Sequence, residues 1–380
     1  MQIIGTLVLV LFLTIISGHL SARHGLPTVV GQLLLGVVIG PAGLHWLTNS
    51  MSLQTGANLG LILLMFLAGI NSDLKLLRRF WRPGLVVALL GVLVPLLVLS
   101  ALGWSFNFKW QECLYLGVIF AATSVSISVD VLQELDQLNS AEGTTILAAA
   151  VVDDILAMIA LSLLTATTTS HQVNLLLILL LQAGYFGLLW LLRPVIKRLM
   201  VLSSRILVTA NVSLVAFVVL LALAYLAEKA HLSSAIGAFF AGLLLGQTAS
   251  RTKLQKDFQI LGYTIFIPLF FVQIGVQMQL TGLKQRLWLF VALTLAAIIT
   301  KLLGAALGAR LVHFDRRSAL IIGSGMVSRG EMALVVAQIG HAQHLLSVAD
   351  YSTVIAVIIA TTIVAPLLLK GAIKFSQDNQ

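Results

Sequence analysis

The chain has 380 residues, 59% of them hydrophobic and only 10% charged, too little polar surface to coat a soluble domain, so lipid is the solvent this composition fits. The formal charge of +9 does not signal nucleic acid, because the basic residues sit in short loops between apolar runs, where they set topology. The single cysteine, Cys113, excludes an internal disulfide and any cysteine-built zinc or iron–sulfur centre, and no cofactor is expected.

Apolar runs of about twenty residues recur along the chain, each long enough to cross roughly 30 Å of hydrocarbon as a helix. None alternates every second residue as a membrane β-strand would. In chain order the predicted spans are 2–20, 27–47, 57–75, 84–104, 111–134, 143–168, 173–199, 206–228, 232–249, 258–280, 285–311, 317–341 and 350–374. The first opens with no preceding basic residue and reads as a retained helix rather than a cleaved leader. The fold class expected is therefore an all-α polytopic membrane protein with thirteen transmembrane helices. Loop parity tests that reading. Of the 23 Lys and Arg, only Lys109, Lys229, Lys284 and Arg286 fall on one side. The other side collects clusters such as Lys75, Arg78, Arg79 and Arg82, which places the N-terminus outside and the C-terminus in the cytoplasm of a bacterial-type inner membrane.

An offset of 206 residues superposes Gly31 on Gly237, Gly36 on Gly242, Gly40 on Gly246, Gly56 on Gly262, Gly69 on Gly275 and Gly117 on Gly323. The same offset carries spans 1–6 onto spans 8–13. The chain then divides into a first six-helix repeat (1–172), a linker helix (173–205) and a second six-helix repeat (206–380). One linker helix inverts the second unit, an arrangement in which substrate sites lie near the midplane where the repeats meet.

Ionised groups at the bilayer centre cost roughly 2.5–3.5 kcal/mol on insertion scales, so each one points to a partner or a wet cavity. In 111–134, Thr123, Ser124, Ser126 and Ser128 interrupt an apolar run with hydroxyls and mark a helix break. In 143–168, Asp153 and Asp154 sit about ten residues in, near midplane, and point about 100° apart. They cannot share a proton across one gap, which argues against an intramembrane aspartyl protease. Lys301 and Arg329 lie in no loop. Lys301 reaches similar depth and is the one ammonium able to compensate a midplane carboxylate, leaving the other Asp protonated or cation-bound. A buried carboxylate that trades its proton for a metal ion is the minimal machine for antiport. The offset carries Thr123 onto Arg329, inside Gly323-Ser-Gly-Met-Val-Ser-Arg329-Gly-Glu331, again a poor helix interior. Arg329 and Glu331 are suited to compensate exposed half-helix ends. His341 and His344 are spaced for metal but are expected in a solvated loop, and Asp130, Glu134, Asp136 and Glu142 cluster around a cytoplasmic loop, where they are suited either to draw in cations or protons or to form a solvated acidic edge.

With Val152-Asp153-Asp154, Thr123-Ser124, Lys301 and Gly-Met-Val-Ser-Arg329-Gly-Glu331 in place, the whole chain resembles the monovalent cation:proton antiporter superfamily, NapA-type sodium/proton antiporters in particular. That resemblance implies two crossing unwound helices. It also implies a mobile core of spans 4–6 and 11–13 moving against a static panel that forms a homodimer. It maps the sodium- and proton-binding carboxylate onto Asp154, its ion-paired neighbour onto Asp153 with Lys301, and the crossing onto Thr123 and Ser124. Asp at the first position of the pair resembles the electrogenic branch. Sodium or lithium, exchanged for protons, are the substrates implied, with potassium/proton exchange and a channel-like pathway as rivals.

Overall fold

A computed structural model describes residues 2–24, 27–48, 50–168, 175–203, 211–278, 286–342 and 345–377. Helices begin where the sequence supplies caps. The first, α1 (Gln2–Arg23), is followed by α2 (Thr28–Ile39), entered from Pro27 and ended by Gly40. α3 (Met51–Asn71) starts where Ser50 accepts from the Leu53 N–H, and the short α4 (Leu74–Arg79) where Asp73 accepts from Lys75. α5 (Trp81–Ser105), α6 (Trp110–Ala121), α7 (Val125–Glu134), α8 (Ala141–Thr168) and α9 (Leu175–Ser203) follow. Next come α10 (Asn211–Lys229) and α11 (Ser234–Leu245), the latter capped by Ser233. α12 (Arg251–Leu261) runs through a π-helical turn (Gly262–Phe266) into α13 (Ile267–Val276). The turn precedes Pro268, whose missing N–H leaves the ordinary i to i−4 bond unmade. The chain continues through α14 (Leu287–Leu311), α15 (Arg316–Gly325), capped by Asp315, and α16 (Glu331–Ala342) to α17 (Val348–Gln377).

Among the described residues there is no strand, and nine helices or helical runs, one of them the interrupted run Trp110–Glu134, are long and apolar enough to cross a membrane. α2 and α11 are apolar but short. Predicted span 27–47 thus stops at Ile39, where Gly40, Pro41 and Gly43 turn the chain, and 232–249 stops at Leu245. Predicted span 57–75 starts six residues early because Ser50 caps it. His341 belongs to the last turn of α16 rather than to a loop; its Nδ1 lies 3.0 Å from the Leu346 carbonyl and its ring stacks on Tyr351. His344 lies outside the described residues. Large apolar side chains stand exposed along α1, α9, α10 and α14, including Phe12, Trp190, Val218 and Leu295, a surface suited to acyl chains rather than water.

The helices pack as two groups. α5, α6, α8, α14, α15 and α17 pack on one another; α1, α2, α3, α10, α11 and α13 form the second set. The half-helix α7 leans on α2 and α3 of one group and on α8 and α17 of the other. Glycines set close approaches in the second group, four of them in reciprocal pairs. A Cβ on Gly36 would strike the Val272 carbonyl and one on Gly275 the Leu33 carbonyl; in the α3–α11 pair, Gly69 faces Phe239 and Gly242 faces Phe66 in the same manner. Displacement by 206 residues exchanges these two contacts. It likewise carries the approach of Gly31 to Ser17 onto that of Gly237 to Leu223, and of Gly117 to Leu96 onto that of Gly323 to Leu302.

Candidate functional site

Two helices of the first group break at the same place. Between α6 and α7 residues 122–124 leave the helix, with Ala122 at ψ 140 and Ser124 at ψ 110. Between α15 and α16 the backbone leaves the helix after Met326 and resumes at Glu331. Hydroxyl side chains that compete for backbone partners in the first segment, and the flanking Gly325 and Gly330 in the second, make both poor helix interiors. The two breaks are joined directly. The Ser124 N–H donates to the Ser328 carbonyl at 2.9 Å, the Ser328 hydroxyl donates to the Ser124 carbonyl, and the Ser128 hydroxyl donates to the Gly325 carbonyl. Gly330 is required here, since a Cβ would run into the Ser124 side chain.

Each break exposes helix ends, and charged groups meet them with the sign that the peptide dipoles favour. At the C-terminal end of α6, Lys301 Nζ donates to the Ala121 carbonyl at 2.7 Å and Arg329 Nη1 to the Ala122 carbonyl at 2.8 Å. Arg329 Nη2 reaches the Ala297 carbonyl on α14 at 3.2 Å. At the entry to α7, Asp153 Oδ2 accepts from the Thr123 N–H at 2.9 Å. Asp153 Oδ1 closes the ring by pairing with Lys301 Nζ at 2.9 Å. Asp153, Lys301 and Arg329 are no more than 1% exposed. The three charges are therefore withdrawn from solvent and held by a carboxylate, three carbonyls and one N–H.

Thr123, Asp153, Lys301 and Arg329 thus converge on one point, with Ser124 in the backbone linkage beside them. Asp154 follows Asp153 on α8, about 100° around the helix; its side chain and that of Glu331, at the start of α16, lie outside the described residues. Thr123 Oγ1 is buried with no hydrogen-bond partner. It faces a narrow cavity of about 30 Å³ between the two helix groups, lined also by Ser126 and Val151 on one side and Ser233 and Phe239 on the other. That is room for about one water or one small ion. Sequence reasoning did not find Ser328 and Thr362, whose hydroxyls bind the Ser124 and Arg329 carbonyls. Their signal was weak, since a lone hydroxyl inside an apolar span ordinarily bonds its own helix.

A wider cavity of about 610 Å³ opens at the far end of α7, lined by Asp130, Glu134, Asp136 and Tyr263 among others. Asp130 and Glu134 lie on α7, within predicted span 111–134, and Asp130 is 6% exposed. Glu142 is instead bound to the Ser318 hydroxyl at the start of α15.

Residues 8–374 match the family model described as sodium/hydrogen exchanger, transmembrane. Among curated proteins, the chain is 43% identical to a Na+/H+ antiporter of Enterococcus hirae, covering 97% of this chain and 98% of that one. It is 38% identical to the Na+/H+-K+ antiporter GerN of Bacillus cereus, with 95% and 94% covered. Among solved structures, the sodium proton antiporter MjNhaP1 of Methanocaldococcus jannaschii superposes with a TM-score of 0.74 at 18% identity, covering 98% of each chain.

Proposed function

The chain belongs to the sodium/hydrogen exchanger family, whose members are transporters rather than enzymes, and on that premise we propose that it exchanges sodium or lithium for protons by alternating access across the cytoplasmic membrane. The observation that carries the site assignment is the buried Asp153–Lys301 pair set across the α6–α7 break, with a second carboxylate, Asp154, next in sequence. Asp153 has both oxygens engaged, one by Lys301 and one by the Thr123 N–H. Asp154 is then the group that exchanges a proton for a cation. The unpartnered Thr123 hydroxyl, beside a cavity large enough for one small ion, supplies a further oxygen to it. Thr123 and Ser124 also hold the unwound backbone whose carbonyls suit a hard cation.

A cation arriving beside Asp154 adds positive charge next to Lys301 and weakens the hold of Lys301 on Asp153. Loading with cation and pairing of Lys301 thereby compete, and an Asp-Lys site of this kind moves net charge in each cycle. Arg329 and Glu331 compensate the half-helix ends of the crossing. The group holding the crossing, α5, α6, α8 and α14–α17, is the moving core, and the group around α2, α3, α11 and α13 is the panel, which pairs with a second copy. Reciprocal glycine contacts at one constant offset support two inverted repeats, 1–172 and 206–380, about a linker at 173–205. The basic loop clusters support an outside N-terminus and a cytoplasmic C-terminus. Potassium/proton exchange is the second reading, favoured by the likeness to GerN, whose name includes potassium.

The test is proton movement in proteoliposomes with a lumenal pH dye and sodium, lithium or potassium added outside. A saturable sodium- or lithium-dependent signal, lost in Asp154→Asn while that variant remains folded and monodisperse, is expected. A potassium-only response moves the assignment to the second reading, and full activity in Asp154→Asn removes Asp154 from the site.

A further inference from the structure

We propose that Asp130 is a transit site for the transported alkali cation between the wide cavity at the end of α7 and the crossing. This rests on the antiport reading above. Residues 126, 130 and 134 recur at the four-residue spacing that puts side chains on one helix face, and the cavities sort along that face. Ser126 lines the narrow cavity at the crossing; Asp130 and Glu134 line the wide one. Asp130 thus stands one turn, about 6 Å, beyond Ser126.

Its own state fits a carboxylate waiting for a partner. Asp130 is 6% exposed, yet the one hydrogen bond described for its side chain is a long one, from the Tyr263 hydroxyl to Oδ1 at 3.4 Å. The Tyr263 hydroxyl makes its closer contact, 2.9 Å, with Gln133 Oε1, leaving Gln133 Nε2 buried and without a partner. Glu134, the more exposed carboxylate, uses Oε2 to accept from the N–H and hydroxyl of Thr28 at the start of α2. The wide cavity carries three carboxylates against one guanidinium, that of Arg251, and this balance draws cations from solvent. A buried carboxylate with a free oxygen, amid oxygen donors and no paired cation, offers a hard monovalent ion a stop between solvent and the crossing. The position of Tyr263 in the π-helical turn, on the opposite helix group, puts its hydroxyl over that stop.

The experiment is a sodium titration of initial proton flux in inside-out membrane vesicles and proteoliposomes, with wild type, Asp130→Asn and Asp130→Glu compared at low and high ionic strength set by choline chloride. Asp130→Asn is expected to raise the half-saturating sodium concentration roughly five- to tenfold with the maximal rate retained, as suits loss of one close charge in a partly wet site. Asp130→Glu is expected to restore it, and the difference to persist at high ionic strength. An unchanged half-saturation overturns the proposal. So does an equal loss of maximal rate in both variants, or a difference that vanishes with choline chloride, which would mark only the long-range field of the cavity. If Asp130→Asn does not fold, Asp130→Ser takes its place. Wild-type protein without cation-coupled proton flux would instead sink the antiport reading itself.

Discussion

Lys301→Met tests whether the Asp153–Lys301 pair holds the crossing together. It removes an ammonium that is fully buried and bonded at 2.9 Å to Asp153 and 2.7 Å to the Ala121 carbonyl. Asp153 keeps only the Thr123 N–H, on Oδ2. Breaking one partner of such a pair costs roughly 3–5 kcal/mol, because the remaining charge is stranded in low dielectric. Asp153→Asn strands Lys301 in the same way. The double variant removes both charges, and Asn can still accept from the Thr123 N–H. Its cost should therefore fall well below the sum of the two singles, with a coupling of about 2–3 kcal/mol. At roughly 2 cal/mol/K of unfolding entropy per residue, a 380-residue chain loses about 1 °C of melting temperature per kcal/mol. The singles should melt about 3–5 °C below wild type and the double about 2–3 °C above the temperature that the two losses added together would give, in detergent with intrinsic tryptophan fluorescence as readout. Singles that melt with wild type, or a double that melts at the sum of both losses, would refute the reasoning.

Two further substitutions read the packing and the caps. Gly36→Val and Gly242→Val each drive a side chain into a facing carbonyl, of Val272 and Phe66, and should destabilise by at least about 1–3 kcal/mol; Gly184→Ala, on α9 with nothing near its added Cβ, should be neutral or stabilising by up to about 1 kcal/mol, all by the same melting assay. Asp315 caps α15, and its hydrogen bonds with Ser318, followed by the Arg317 N–H and charge, hold its carboxyl below the usual carboxylate range. A depressed folded value gives stability that is present above the unfolded pKa and lost as pH falls through the folded one. Asp315→Ala should therefore cost about 1 kcal/mol near neutrality, and its melting difference from wild type should shrink as the buffer is taken below pH ~4.

The membrane spans were legible because hydrocarbon thickness fixes their length, and the basic loops because topology fixes their side. Both breaks were legible for a local reason: Thr123-Ser124-Val-Ser126 and Gly325-Met-Val-Ser-Arg-Gly330 carry groups that weaken a helix wherever they stand. The shortening of α2 and α11 was less visible. Apolar residues recur past Ile39, at Leu44, Trp46 and Leu47, and the turn chemistry at Gly40-Pro41 ends that helix, whereas past Leu245 the chain turns polar at Gly246-Gln247-Thr248. Asp130 falls inside predicted span 111–134, but its burial was not legible, because it follows from α2 and α3 packing on α7, which no local pattern encodes. The partners of Arg329 were out of reach for the same reason. Its four contacts in the crossing are three backbone carbonyls and the Thr362 hydroxyl, and sequence names no carbonyl as special.

That chemistry bears on why a crossing of broken helices carries charges so deep in the bilayer. A continuous α6–α7 helix would satisfy its own backbone and leave Lys301 only Asp153 and Arg329 only the Ala297 carbonyl to bond. Breaking it at 122–124 releases carbonyls at Ala121 and Ala122 and an N–H at Thr123, and these are the groups that hold two cations and an anion. The exposed ends and the buried charges thus offset one another's desolvation, and neither is tolerable alone. The compensation is also local to one helix group apart from α7's contacts with α2 and α3, so the proposed motion of that group would leave these buried charges with their partners. Such a shift would change polar contacts across the seam, among them Thr28 with Glu134, Tyr263 with Asp130 and Gln133, and Asn139 with Asn71 and Asp73. The charged centre can then travel as a unit while access to it is decided at its edge.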